Sequence, residues 1–168
     1  MDFYESDLED IIWDCLKTPE GVDKLCEKGL HLIKPSRSFR QLRLGNYGIA
    51  DLVTFDKSYY KIQDEIVAEV TITIYELKKD QIKLDSLVQL CRYMKGVKRY
   101  FGARGSQLKY SDIRGVLIGK SLNVDDWVYL TDHIQEKIDF YTYEYSIDGM
   151  SFEHKNCDFH LIEEGFKL

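Results

Sequence analysis

The chain reads as an α/β protein: a mixed β-sheet core flanked by helices, with a C-terminal β-hairpin. Three observations predict it. A β-branched run, Ile72-Thr73-Ile74-Tyr75, ends on Glu76-Leu77-Lys78-Lys79. The run Gly115-Val116-Leu117-Ile118-Gly119 is apolar throughout and bounded by glycines, the pattern of a strand buried on both faces. Between them, residues 84 to 101 place Leu84, Leu87, Val88, Cys91, Met94 and Val97 at helical spacing, and Gly102 ends the helix.

The remaining elements follow in order. Residues 5 to 16 form an amphipathic helix with Leu8, Ile11, Ile12, Cys15 and Leu16 on one stripe. At ~100° per residue, Glu5 lies at the edge of that stripe and Glu9 further round, so Glu5 is the acid expected to look inward. Thr18 and Pro19 suit the N-cap and first position of a second helix that carries Val22, Leu25 and Cys26 inward and ends near Gly29. Residues 30 to 33 and then 39 to 44, the latter alternating Phe39, Gln41 and Arg43 against Arg40, Leu42 and Leu44, read as strand segments before Gly45-Asn46-Tyr47-Gly48, which supplies turn residues ahead of a strand around Asp51. Residues 57 to 65 read as a polar and aromatic connection to a long strand over 66 to 77. A short helix is expected within residues 123 to 133. Residues 138 to 147 alternate strongly, and Asp148-Gly149 marks a hairpin turn into residues 150 to 154.

At 168 residues the chain fits one domain with a core of its own. Its acidic start has no secretory pattern, and no apolar run approaches the roughly 20 residues of a membrane span. The four cysteines are scattered, as for reduced thiols, so a soluble cytoplasmic protein with no membrane partner is expected. The net charge of −6 hides a strong asymmetry: residues 78 to 120 sum to +8 and the rest of the chain to −14. A second run, Lys34, Arg37, Arg40 and Arg43, contains no acid. Arg40, Arg43, Lys79, Lys83 and Arg92 are therefore candidates for binding a polyanion, against the alternative of a solvated charged surface.

The chemistry concentrates at two strand ends. Side chains alternate along a strand, so Glu76 and Lys78 project from one side while Leu77 turns into the core. If the segment around Asp51 is the neighbouring strand, two carboxylates and an ammonium converge. That set suits Mg²⁺, which takes one or two carboxylates plus waters, with a lysine to orient a nucleophilic water or bind a phosphate oxygen. Metal-assisted phosphodiester hydrolysis is the reaction expected. Gln89 and Tyr93, at i and i+4 on the following helix, present one polar stripe. His154, Cys157 and His160 offer only three ligands without a fourth partner and are not read as a zinc site.

Six blocks taken together, Glu5 to Ile12, Gly29-Leu30-His31-Leu32-Ile33, Gly48-Ile49-Ala50-Asp51-Leu52-Val53, Glu76-Leu77-Lys78-Lys79, Gln89-Leu90-Cys91-Arg92-Tyr93-Met94 and Arg114-Gly115-Val116-Leu117-Ile118, resemble the catalytic domain of NucS-type endonucleases, in the PD-(D/E)xK nuclease superfamily. The resemblance implies a restriction-endonuclease-like core acting on DNA. In it, Asp51, Glu76 and the Leu77 carbonyl would ligate Mg²⁺ or Mn²⁺, and Lys78 would orient the attacking water. Gln89 and Tyr93 would line the site, and Glu5, or failing it Glu9, would add an acid from the first helix. The 57 to 65 stretch and the hairpin tyrosines Tyr141, Tyr143 and Tyr145 lie outside what the resemblance explains. A symmetric cut of a duplex would call for a homodimer or a partner subunit. Two rival readings remain: a nuclease-fold module that binds nucleic acid or protein without cutting, and an RNA nuclease.

Overall fold

The computed structural model describes residues 3–102, 112–123, 127 and 132–156. In chain order the elements are α1 (Glu5–Leu16), α2 (Pro19–Glu27), β1 (Arg37–Arg43), a 3-10 turn (Gly45–Tyr47), β2 (Ile49–Ile62), β3 (Glu65–Leu77), β4 (Gln81–Ile82), α3 (Leu84–Gly102), β5 (Asp112–Gly119), β6 (Ser121–Leu122), α4 (Asp132–Lys137), β7 (Ile138–Ser146) and β8 (Gly149–His154). Six strands make a mixed sheet in the order β1-β2-β3-β5-β7-β8, and β4 pairs in parallel with β6 beside it. β5 runs parallel to both β3 and β7, and the other neighbours are antiparallel. The α/β class and the mixed sheet flanked by helices are as expected.

Each sheet face buries its own apolar set. Leu8, Ile12 and Leu16 of α1, with Val22 and Leu25 of α2, pack on Leu52, Tyr75, Leu77, Val116, Ile118, Tyr141 and Tyr143. Leu87, Leu90 and Val97 of α3 pack on the opposite face against Val53, Ile72, Ile74, Leu117 and Phe140. Residues 115–119 are buried throughout, as a strand covered by helices on both sides requires. Local signals explain the helix starts. Thr18 Oγ1 accepts from the Gly21 N–H at 3.1 Å with Pro19 at the first turn, and the Asp7 carboxylate accepts from the Tyr4 N–H at 2.7 Å.

The structure changes three expectations. Residues 57–65 are not a connection: β2 runs unbroken to Ile62 and turns at Gln63 and Asp64, both in the left-handed region with φ of 48° and 70°. That geometry is a tight hairpin turn made without glycine. The buried stripe of α3 is also rotated from the one read by spacing. Ser86, Leu87, Leu90, Tyr93, Gly96 and Val97 face inward, whereas Leu84 and Val88 are 66% and 54% exposed and Cys91 is exposed. Small residues at 86 and 96 let α3 approach its neighbours closely, and hydrophobic spacing does not register them. Residues 30–33 carry no regular secondary structure. The helix expected within 123–133 falls largely outside the described residues, and α4 begins where it was to end. Among the described residues no helix is long and apolar enough to cross a membrane.

Candidate active site

The antiparallel register pairs Leu52 with Tyr75, which puts Asp51 across from Glu76 at the next rung, on the α3 side of the sheet. Asp51 Oδ2 accepts from the Leu77 N–H at 2.8 Å, tying the carboxylate to the end of β3. Glu76 is 1% exposed. Its Oε1 accepts from Lys78 Nζ at 2.5 Å, while its Oε2 is buried without a hydrogen-bond partner. The Lys78 N–H donates to the Ile118 carbonyl at 2.8 Å, so β5 holds the chain in line just past Leu77. The structure thus brings Asp51, Glu76 and Lys78 together.

Burial dominates the electrostatics. It pushes the Asp51 carboxyl up to about 6, opposed by the Leu77 N–H and reinforced by the charge of Glu9. It pushes Glu76 up to about 7, with the Asp51 charge adding to the rise and Lys78 opposing it. For Lys78, burial works against the ammonium, but the hydrogen bond and charge of Glu76 outweigh it and its pKa lies above the ordinary value. Two carboxylates held this way at neutral pH crowd negative charge into a dry place, and a cation offsets that cost.

The acid that α1 buries is Glu9, at 7% exposure, not Glu5. Glu9 Oε1 accepts from Arg40 Nε at 2.6 Å, and both its oxygens accept from Gln41 Nε2, at 3.0 and 2.9 Å. Arg40 also bridges to Asp10 at 2.7 Å, so this candidate for polyanion binding spends its guanidinium on α1. The cause lies in β1. Gln41 takes φ of 50°, and Arg40 pairs across from Leu52, on the sheet face that α1 covers. Glu5 is exposed and its Oε2 accepts from the Lys79 N–H at 3.2 Å, at the margin of the site.

Across from it, α3 contributes Gln89 and Tyr93. Gln89 Nε2 donates to Tyr93 Oη at 2.6 Å, and Tyr93 is buried. A cleft of about 310 Å³ lies here, lined by Glu5, Lys78, Lys79, Lys83, Ser86 and Gln89. Gly48 makes room for Tyr93: its φ is 115°, and a Cβ there would sit 2.7 Å from Tyr93 Cε1. Gly48→Ala should therefore cost about 1–3 kcal/mol in urea unfolding and displace the Tyr93 ring. Unchanged stability would show that neither the backbone nor the ring is constrained at this point.

Of the other sequence candidates, Arg43, Lys83 and Arg92 are exposed, and Lys79 Nζ lies 5.1 Å from the Tyr4 ring centroid. Of the hairpin tyrosines, Tyr143 supports the site. Tyr141 and Tyr143 are buried, and Tyr143 Oη donates to the Lys79 carbonyl at 2.6 Å, pinning the chain one residue beyond Lys78. Tyr145 stacks on Phe3 at 5.1 Å. Glu9, Gln41 and Tyr143 are the residues the sequence reading passed over or ranked second. Only the alternation along residues 138–147 hinted that Tyr143 faces inward. His154 Nε2 lies 3.1 Å from Asp139 Oδ1, and Cys157 and His160 lie outside the described residues.

The chain has counterparts among solved structures. It is similar to the crystal structure of a repair endonuclease from Pyrococcus abyssi, at 19% identity and a TM-score of 0.48, over 83% of this chain and 46% of that one. It is also similar to the EndoMS-dsDNA2 complex, at 19% identity and a TM-score of 0.44, over 86% of this chain and 46% of that one. The chain thus spans just under half the length of the solved structures it matches. No family model matches the sequence, and neither does any curated protein.

Proposed function

We propose that this chain is a divalent-metal-dependent endonuclease that hydrolyses DNA phosphodiester bonds at Asp51, Glu76 and Lys78. The observation that carries the reading is the state of Glu76: a buried carboxylate with an ammonium on one oxygen, no hydrogen-bond partner on the other, and a second, half-buried carboxylate, Asp51, on the neighbouring strand. An orphaned buried oxygen costs free energy unless something else engages it. Among the described residues no three His, Cys, Asp or Glu side chains form a ready-made metal cage. Two carboxylates and a backbone carbonyl still meet what Mg²⁺ or Mn²⁺ asks, because Mg²⁺ keeps several waters and takes few protein oxygens.

Asp51, Glu76 and the Leu77 carbonyl would hold the cation. When bound it supplies Lewis acidity, stabilising charge on the reacting phosphate and making a nucleophile accessible near neutral pH. The protein supplies the rest. Lys78, anchored through Glu76 Oε1, orients the attacking water and places positive charge where the phosphate oxygens become more negative. Leu77 N–H and Tyr143 Oη hold the strand end, so the three groups keep their spacing without reorganising. Gln89 lines the cleft, and Tyr93 behind it fixes the amide by accepting its hydrogen bond.

The test is a labelled panel of single-stranded, duplex, mismatched and flapped DNA, with matched RNA, incubated with Mg²⁺, Mn²⁺ or EDTA. The proposal expects cutting of DNA that needs the cation. Cutting confined to RNA would move the assignment to a ribonuclease. Binding with no cutting of any member would favour a non-catalytic nucleic-acid module.

A further inference from the structure

The hairpin of β2 and β3 is longer than the sheet that carries it. β1 pairs with β2 only as far as Phe55, and β5 pairs with β3 only from Thr71 onward. Among the described residues, the two strands pair with each other alone from Lys57↔Val70 to Ile62↔Glu65. They form a two-stranded ribbon projecting from the sheet, with Tyr59 63% exposed and Ile66 77% exposed. Such a ribbon buries little of its own and is marginal in isolation, so it calls for a use beyond stability.

The ribbon sorts its charges by face. Side chains alternate along each strand, and directly paired residues share a face. Lys57, Tyr59 and Lys61, with Ile66, Ala68 and Val70 across from them, therefore lie on the face that carries Asp51 and Glu76. Asp56, Glu65 and Glu69 lie on the other. Lys61 reaches Asp64 in the turn at 2.9 Å, with both side chains exposed, and Lys57 Nζ sits 5.1 Å from the Tyr59 ring centroid. At the foot of the ribbon, on the same face, a cavity of about 580 Å³ is lined by Phe39, Phe55 and Val70 together with Arg37, Arg43 and Lys57. Cations thus run in a line from the sheet out along one face, with aromatic rings between them and Asp56, Glu65 and Glu69 turned away; Asp64, in the turn, is the ribbon carboxylate that meets the row, at its outer end.

We propose that the β2–β3 ribbon is a DNA-binding arm that grips duplex to one side of the scissile bond. This rests on the nuclease reading of the Asp51 and Glu76 site. Charge chooses the occupant: a row of lysines and arginines with Asp56, Glu65 and Glu69 on the back complements a phosphate backbone, and a phosphate at the tip would displace the exposed Asp64 from Lys61. A two-stranded ribbon is also narrow enough to enter the major groove. At ~3.3 Å per residue, Lys57 and Lys61 stand roughly 20 and 33 Å along β2 from Asp51. At ~3.4 Å per base pair this corresponds to about 6 to 10 base pairs of flanking duplex. The arm thereby makes affinity depend on duplex length, independently of the chemistry at the carboxylates.

The experiment measures fluorescence anisotropy of the full chain with labelled duplexes of increasing length, in Ca²⁺, across a salt series. It compares wild type, Lys57→Ala/Lys61→Ala and the opposite-face control Glu65→Gln/Glu69→Gln. Wild type should gain affinity with length until the arm is covered. The lysine variant should bind long duplex about tenfold more weakly, bind the shortest within about twofold of wild type, and lose about 2 from the salt slope. The control should keep the wild-type length dependence. Single-turnover cutting at saturating DNA should be unchanged in the lysine variant. Equal affinity and slope in the lysine variant, with wild type still cutting, would overturn the arm and leave the nuclease reading intact. Loss of a dimer in sedimentation in place of lost DNA affinity would overturn it in favour of an assembly role. Wild type that neither binds nor cuts DNA would remove both.

Discussion

At pH 8 without divalent cations, Glu76→Gln should unfold about 5 °C above wild type, from a gain on the order of 2–3 kcal/mol. The sign follows from the folded-state pKa values. Glu76 and Asp51 are raised to about 7 and about 6, above the 4.5 and 3.8 of the unfolded chain, so the native state holds more protons between those values. Their contribution is fully present below about pH 4 and is lost as pH rises through 6 and 7. The metal-free wild type should therefore lose stability between about pH 4 and 7.5, and Glu76→Gln should flatten that slope. Adding Mn²⁺ at pH 8 should raise the wild-type midpoint, by about 2.7 kcal/mol at a hundredfold excess over Kd, and leave the variant nearly unmoved. The charged groups acting on Glu76 are Asp51 on β2, Lys78 just past the end of β3 and Glu5 on α1; of these only Lys78 offsets the crowding. Thermal unfolding over pH with and without Mn²⁺ checks all of this. A variant less stable than wild type at pH 8 would show that the carboxylate is not held at a cost.

Lys78→Met should slow cleavage of bound DNA by about 10²–10³-fold, the usual worth of one positioned charge at a developing anion. DNA affinity should change by less than about threefold, because one ammonium is a small part of the cationic surface. The lysine also lowers the Glu76 pKa, so its removal drives that carboxyl higher and should move Mn²⁺ binding to higher pH. Lys78→Arg should restore the charge without restoring the rate, since a planar guanidinium cannot take the ammonium's place against Glu76 Oε1. Single-turnover rates beside anisotropy and Mn²⁺ titration over pH separate these effects. Equal losses in affinity and rate would make Lys78 a binding residue.

How far the sequence led depended on whether a feature was local. The β-branched run into Glu76 and the glycine-bounded run at 115–119 each carry strand periodicity, and the structure has strands at both. Asp51 beside Glu76 followed from two neighbouring strands in one register. Gln89 over Tyr93 followed from the spacing of one helix. What escaped depends on contacts between distant segments. Which of Glu5 and Glu9 is buried is decided by Arg40 and Gln41 on β1, and a helical wheel does not contain them. The ribbon was hidden because its turn uses Gln63 and Asp64 at positive φ, where a glycine would have announced it. The α3 stripe was misphased because Leu84, Val88 and Cys91 are apolar yet exposed, while Ser86 and Gly96 are small and buried.

The most direct test of the central claim is single-turnover cleavage of one labelled DNA substrate in Mn²⁺ by wild type, Asp51→Asn and Glu76→Gln, with binding measured on the same substrate. The account predicts that wild type cuts, and that both variants bind it within about threefold of wild type yet cut at least about 10³-fold more slowly. Variants that cut at the wild-type rate would contradict it, because the carboxylates of β2 and β3 would then have no part in the reaction.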